Sequence, residues 1–156
     1  MKRCPVIVSA CLVGIKSRHD GTDALSGDVL ASLGDAVIIP VCPEQLGGLP
    51  TPRPMAEITG GDGTDVLKID VLGIDALKKT ARVVDENGRD VTLNFIKGAE
   101  AALSIAKLSG TGKAILKERS PSCGVKRIVR SGKEAPGMGV TAALLKREGI
   151  EIEGVG

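Results

Sequence analysis

Residues 5–10 (PVIVSA) indicate the class of fold, because a short run of β-branched apolar residues leads there directly into a loop. An uninterrupted apolar run of this length is typical of a strand buried on both faces of a parallel sheet. Two later runs have the same character, at 36–41 (AVIIPV) and 113–117 (KAILK). We therefore predict three buried parallel strands, each followed by a loop rich in Gly, Pro or Ser.

Apolar residues at helical spacing predict helices between these strands, over 23–33, 90–109 and 141–148. Asp23 and Asp90 are the candidate N-caps of the first two helices. The apolar face of the second helix is predicted to be Leu93, Ile96, Ala99, Leu103 and Ala106. Weaker patterns predict strands at 66–72, 81–84 and 150–152. This alternation predicts a single α/β domain over residues 1–156, with a mainly parallel sheet and flanking helices.

The composition excludes several classes of protein. The chain has 156 residues, four cysteines, one Phe and neither Trp nor Tyr. A chain of this length can bury a core without a disulfide framework. The lack of aromatic residues disfavours base stacking, so we expect no stable nucleic-acid partner. No apolar run approaches the ~18 residues of a membrane span, so we expect a cytoplasmic protein. Its cysteines are then expected to be thiols, metal ligands or catalytic groups and not structural disulfides.

Three cysteines follow the three predicted strands: Cys11, Cys42 and Cys123. Ligands of open α/β sheets bind at the carboxyl ends of the strands, so these thiols are predicted to converge. One buried thiol is explained as a small hydrophobic residue, but three in separate loops are not. Without a Cys-x-x-Cys pair a zinc ribbon is disfavoured, and Cys4 precedes the first strand, near the opposite edge. An iron–sulfur cluster is normally held by cysteine thiolates.

Polar residues near these cysteines are further candidates. Glu44 is either a general acid or base beside a metal site or a solvated loop residue. Ser120 and Ser122 either donate hydrogen bonds to a substrate or shape a turn. Arg53 either binds a substrate oxygen or holds its own loop, and His19 is either a partner of Cys11 or a polar turn residue.

The positive charge of the chain is concentrated between residues 113 and 133, where seven basic residues accompany one acid, Glu118. Such a run is often only a solvated face, but it also provides a positive field for an anionic ligand or cofactor.

These motifs resemble the thiouracil desulfidase (TudS-like) family. The matching stretches are SACLVG (9–14), RHDG (18–21), VCPEQLGGLPTPRPMAEI (41–58), RDVTLNFIKGAE (89–100), KERSPSCG (117–124) and PGMGVTAALLKREGI (136–150). The resemblance implies a Rossmann-like α/β domain that binds a [4Fe-4S] cluster through Cys11, Cys42 and Cys123, leaving one iron open. It also implies that Glu44 and Ser120 are catalytic.

The reaction that the resemblance implies is removal of sulfur from a thiolated uracil, giving uracil and hydrogen sulfide by hydrolysis without net redox change. The partner is thus a small thionucleobase, with Ser122, Arg53 and His19 as expected substrate contacts. The chain departs from relatives in the family at two positions. Relatives often carry an aromatic residue at the position of His19, and some carry a cysteine at that of Ser17.

Two alternative functions use the same residues differently. In the first, the protein is a cluster-free sulfurtransferase with a persulfide on Cys11 or Cys123, activated by basic surroundings that lower a thiol pKa. In the second, it is a non-enzymatic nucleotide- or anion-binding module. That module would use the basic segment and the glycine-rich helix start at 137–142.

Overall fold

The computed structural model describes residues 3–72 and 81–156, and its centre is a four-stranded parallel sheet. Its strands, numbered in chain order with those of the smaller sheets, are β1 (Pro5–Ser9), β2 (Val37–Val41), β5 (Lys113–Lys117) and β8 (Glu151–Val155). They lie in the order β2-β1-β5-β8, and each neighbouring pair is parallel. This arrangement confirms the predicted α/β class, and β1 and β5 are buried strands as predicted. The prediction that β2 is buried is wrong, because β2 lies at the edge of the sheet and only Val41 of its residues is buried.

The helices are α1 (Gly27–Leu33), α2 (Pro43–Leu46), α3 (Gly63–Leu72), α4 (Thr92–Ser109) and α5 (Val140–Arg147). Successive side chains of β1 point to opposite faces of the sheet. Ile7 packs in the cluster that contains Leu145 of α5, whereas Val8 packs in the cluster that contains Val29 of α1. The sheet is therefore covered by helices on both sides, as its apolar strands predict. No helix in the described part of the chain is long and apolar enough to cross a membrane.

Two small antiparallel sheets complete the fold. One pairs β3 (Ala56–Thr59) with β4 (Arg82–Asp85), and the other pairs β6 (Arg127–Arg130) with β7 (Lys133–Pro136). The predictions missed the second pair. Its turn residues Ser131 and Gly132 both have positive φ, 52° and 75°. A two-residue hairpin turn of this type matches the right-handed twist of its strands, which is why a Ser-Gly pair suits it.

The predicted strand at 66–72 is wrong, because this segment belongs to helix α3. The helix begins at a loop whose acidic side chains cap it. Asp62 Oδ1 accepts the backbone N–H of Thr64 at 2.9 Å, and Asp65 Oδ2 accepts that of Asp62 at 3.0 Å. These side-chain acceptors favour a helix start over a strand. A short apolar run cannot distinguish the two by its periodicity.

Two details of the other helices also differ from prediction. Helix α1 begins after Ser26, whose Oγ accepts the Val29 N–H at 3.2 Å, whereas Asp23 accepts from Leu25 in the preceding turn. Asp90 does bond to the start of α4, through the Thr92 N–H at 2.9 Å. Leu93, which was predicted to be on the buried face of α4, is 66% exposed.

Candidate active site

The loops that follow β1, β2 and β5 carry three of the four cysteines to one edge of the central sheet. Cys11 lies in a 3-10 helix (Ala10–Val13), and Cys42 follows β2 directly as the N-cap of α2. Cys123 lies in the loop between β5 and β6. Since these strands are parallel, their carboxyl ends share an edge. Cys4 precedes β1 and is exposed.

A cavity of about 250 Å³ lies at this edge. Its lining includes every residue that the sequence singled out for the site: Cys11, Cys42, Cys123, Glu44, Ser120, Ser122, Arg53 and His19. The chain has no Trp or Tyr, and its one Phe, Phe95, is 1% exposed in the core. His19 therefore supplies the aromatic ring at the cavity.

Arg53 is buried, and all five N–H groups of its guanidinium face acceptors. The Nε atom donates to Glu44 Oε1 at 2.9 Å. The other acceptors are the carbonyls of Pro50 and Ser17, Thr51 Oγ1 and Cys42 Sγ. Arg53 thus joins the loop after β1 to the loop after β2, and none of its N–H groups is left over for a substrate.

Glu44 is held through both carboxylate oxygens. Oε1 forms the ion pair with Arg53, in which the side chains are only 13% and 4% exposed. Oε2 accepts a hydrogen bond from Ser122 Oγ at 3.1 Å. Each carboxylate oxygen has a second lone pair, so Glu44 can still accept a hydrogen bond from a molecule in the cavity.

Ser120 organises the tight turn that carries Cys123. Its Oγ accepts the backbone N–H of Ser122 at 3.1 Å and that of Cys123 at 3.0 Å. The same oxygen lies 3.0 Å from Ser122 Oγ. Ser122 Oγ also lies 3.6 Å from Cys123 Sγ. The two hydroxyls, one thiol and Glu44 therefore form one connected group.

The start of α5 holds this turn in place through backbone hydrogen bonds. The Val140 N–H donates to the Pro121 carbonyl at 2.9 Å, and those of Thr141 and Ala142 donate to the Ser122 carbonyl at 2.9 and 3.1 Å. A Cβ at Gly139 would lie 2.4 Å from the Ser122 carbonyl carbon, so this approach requires glycine. The helix start that was predicted as an anion site binds the cysteine loop instead, so these three N–H groups are not available to an anion.

Glu118 folds the remainder of the same loop. Its Oε1 accepts the backbone N–H groups of Val125, Lys126 and Arg127 at 2.8, 3.0 and 3.2 Å. In the sequence, Glu118 is notable only as the single acidic residue of a basic segment. Its position immediately after β5, like that of Cys11 after β1, was the signal that could have identified it.

The backbones of helices α2 and α4 are in close contact next to Cys42 and Glu44. A Cβ at Gly98 would lie 1.9 Å from the Pro43 carbonyl oxygen, and a Cβ at Gly47 would lie 2.0 Å from the backbone carbonyl oxygen of Asn94. Asn94 Nδ2 also donates to the Gly47 carbonyl at 2.9 Å. Sequence reasoning missed this crossing, although Gly98 inside a helix was a visible signal.

The cavity combines buried thiols with basic residues. Burial raises the pKa of Cys11, opposed in part by Lys117, and raises the pKa of Cys123 to about 12. Burial also lowers the pKa of Lys117, with added repulsion from Arg119 and Arg18. Burial therefore favours the neutral thiol at Cys11 and at Cys123. This argues against the sulfurtransferase alternative, which requires a lowered pKa at one of these two thiols.

Comparison with known proteins identifies the family. Residues 6–154 match the family model described as 2-thiouracil desulfurase. The chain belongs to the 2-thiouracil desulfurase family. It is 42% identical over 150 residues to the uncharacterized protein YbbK of Bacillus subtilis (strain 168), a match that covers 94% of this chain and 93% of that protein.

A solved structure agrees with this assignment. The chain resembles the [4Fe-4S]-dependent thiouracil desulfidase TudS, with 40% identity and a TM-score of 0.73 over 98% of this chain and 91% of that one. The family resemblance, the α/β fold and the prediction of an enzyme are confirmed. As a member of the 2-thiouracil desulfurase family, the chain carries the cavity described above at the edge where the family motifs meet.

Proposed function

We propose that this enzyme removes the sulfur of a thiolated uracil by hydrolysis, giving uracil and hydrogen sulfide, with a [4Fe-4S] cluster as its cofactor. The observation that carries the proposal is the meeting of three thiols and a clamped carboxylate in one cavity. The relative TudS is described as a [4Fe-4S]-dependent thiouracil desulfidase, which supports both the reaction and the cofactor.

The residues present fit an iron–sulfur cluster in their chemistry. Cys11, Cys42 and Cys123 are free thiols from three separate loops, and thiolates are the usual ligands of such clusters. Among the described residues, no three Cys, His, Asp or Glu side chains are grouped to hold a single metal ion. Thiols spread around a cavity suit a cluster better, since each thiolate then binds a different iron. With three protein ligands, one iron is left open.

The protein groups supply the hydrolytic chemistry. A bound cluster with an open iron supplies Lewis acidity toward sulfur. Glu44, fixed by Arg53 and Ser122, accepts a proton from the water that attacks the thiocarbonyl carbon. Ser120 lies in the loop after β5 and is linked to Glu44 through Ser122, and we assign it to the same catalytic group, as the family resemblance implies. The reaction consumes one thiocarbonyl group and one water molecule, and it forms one carbonyl group and one molecule of hydrogen sulfide.

The substrate is a small planar base, and the cavity places constraints on how it binds. His19, the backbone of the surrounding loops and apolar side chains such as Met55 and Val129 line the cavity and can contact its ring. The N–H groups of Arg53 all face acceptors within the protein. We therefore propose that Arg53 positions Glu44 and does not contact the substrate. Relatives that differ at the positions of His19 and Ser17 are expected to accept different thionucleobases.

Anaerobic purification followed by iron and sulfide analysis tests the cofactor, and a panel of 2- and 4-thiouracil tests the reaction. We expect brown protein that releases sulfide from at least one of these bases. Serine substitution of any of the three cavity cysteines should remove the colour and the iron, whereas Cys4→Ser, the matched control at an exposed thiol, should retain both. Colourless, iron-free protein from strictly anaerobic cells would refute the proposal.

A further inference from the structure

The hydroxyl of Ser122 lies between the two groups that the proposed function makes catalytic. It is 3.1 Å from Glu44 Oε2 and 3.0 Å from Ser120 Oγ, and the residue is 2% exposed. Its two partners come from different segments, Glu44 from helix α2 after β2 and Ser120 from the loop after β5. Ser122 is therefore the direct side-chain link between the carboxylate and the first serine.

The hydrogen-bond inventory fixes the direction of this chain. A serine hydroxyl has one hydrogen to donate and two lone pairs that accept. The lone pairs of Ser120 Oγ face the N–H groups of Ser122 and Cys123. Ser120 must therefore donate its hydrogen to Ser122 Oγ. Ser122 Oγ has two acceptors within reach, Glu44 Oε2 at 3.1 Å and Cys123 Sγ at 3.6 Å, and we assign its hydrogen to Glu44, the nearer of the two.

We propose that Ser122 is a positioning residue, which holds the Glu44 carboxylate and the Ser120 hydroxyl in one directed chain, and not a substrate contact. Its single hydrogen is committed to Glu44, and its oxygen accepts from Ser120, so little hydrogen-bonding capacity faces the cavity. Arg53 holds the other oxygen of Glu44. Removing Ser122 frees one carboxylate oxygen and the Ser120 hydrogen together. This inference rests on the proposed function, because it concerns the geometry of that reaction.

The test is Ser122→Ala in the anaerobic holoenzyme, compared with wild type, Ser120→Ala and the double variant. Ser109→Ala is the matched control, because its hydroxyl bonds only within α4, to the Ile105 and Ala106 carbonyls. We expect Ser122→Ala to lower kcat by about 10–100-fold, the usual loss for a residue that orients a functional group. KM and the iron content should stay within about threefold of wild type.

The double variant distinguishes a shared unit from independent roles. If Ser122 acts through Ser120 and Glu44, the double variant should be no slower than Ser120→Ala alone, since residues that act as a unit are not additive. Multiplied losses would overturn the proposal. So would a raised KM with unchanged kcat, which indicates a substrate contact, or a loss of iron, which indicates a role in holding the cluster.

Crystal structures of the Ser122→Ala and Ser109→Ala proteins add a readout that needs no activity. We expect the Glu44 carboxylate to leave its wild-type position only in the first, and an unmoved carboxylate there would overturn the proposal. An inactive wild-type enzyme would instead refute the proposed function. An active wild type with a fully active Ser122→Ala variant would refute the assignment of Ser122 alone.

Discussion

Replacing Gly98 with alanine inserts a methyl group into the backbone contact between α4 and α2. The new Cβ would lie 1.9 Å from the Pro43 carbonyl oxygen, whereas real contacts of this kind are essentially never shorter than 3.0 Å. The two helices must therefore separate by about 1 Å at this point, the difference between those two distances. Pro43 stands between Cys42 and Glu44, so the movement displaces a predicted cluster ligand and the predicted base together.

Two opposing terms decide the effect of Gly98→Ala on stability. Overpacking of a tight contact costs about 1–3 kcal/mol. Alanine within a helix gains back about 1 kcal/mol relative to glycine. We therefore expect a net loss of about 0–2 kcal/mol in the free energy of unfolding, measured by urea denaturation. The loss of activity should be larger, because a 1 Å misplacement of catalytic groups can lower the rate by about 100-fold.

The matched control is Gly27→Ala, at the exposed first residue of α1. A Cβ there has no atom within 4 Å and its φ is not in the left-handed region. We expect this variant to have unchanged kcat and equal or slightly higher stability. If Gly98→Ala matched Gly27→Ala in stability, iron content and thiouracil turnover, the argument that this crossing positions the site would be refuted.

Three further predictions follow from other contacts. Glu44→Gln should retain iron but lower kcat by about 10²–10⁴-fold, as loss of a general base does, and full activity would exclude that role. Glu118→Ala removes a shared acceptor from three backbone N–H groups, so urea denaturation should show about 1–2 kcal/mol less stability; no change would contradict its role in folding the loop. In iron-free protein, iodoacetamide should label exposed Cys4 far faster than Cys123, because Cys123 is buried with its pKa raised to about 12; equal rates in peptide mass spectrometry would disprove this.

The strands and the edge at which the site forms could be predicted from sequence for a simple physical reason. Strands buried on both faces must be apolar along their length, so PVIVS and KAILK are recognisable without knowledge of their partners. Parallel pairing then places the following loops together, and the cysteines in those loops with them. The same reasoning located Glu44 and Ser120, because both lie within three residues of a loop cysteine.

The contacts that refine the site could not be predicted, because they join residues far apart in sequence. The bond from Ser122 to Glu44 spans 78 residues, and the Arg53 bond to the Ser17 carbonyl spans 36. Nothing local in the sequence distinguishes a serine that faces a substrate from one that faces a carboxylate. The strand predicted at 66–72 failed for a different reason: capping by Asp62 and Asp65 overrode an apolar run that was too short to show a period.

The dependence of the cysteine turn on the start of α5 imposes an order on how the protein matures. All three cavity cysteines are translated before Val140, yet the donors that fix the turn at Pro121 and Ser122 come from residues 140–142. A nascent chain that has exposed Cys123 but not α5 has every thiol and lacks the scaffold that arranges them. Acquisition of the metal cofactor is therefore expected to follow the synthesis of helix α5 and not to accompany the synthesis of the cysteine loops.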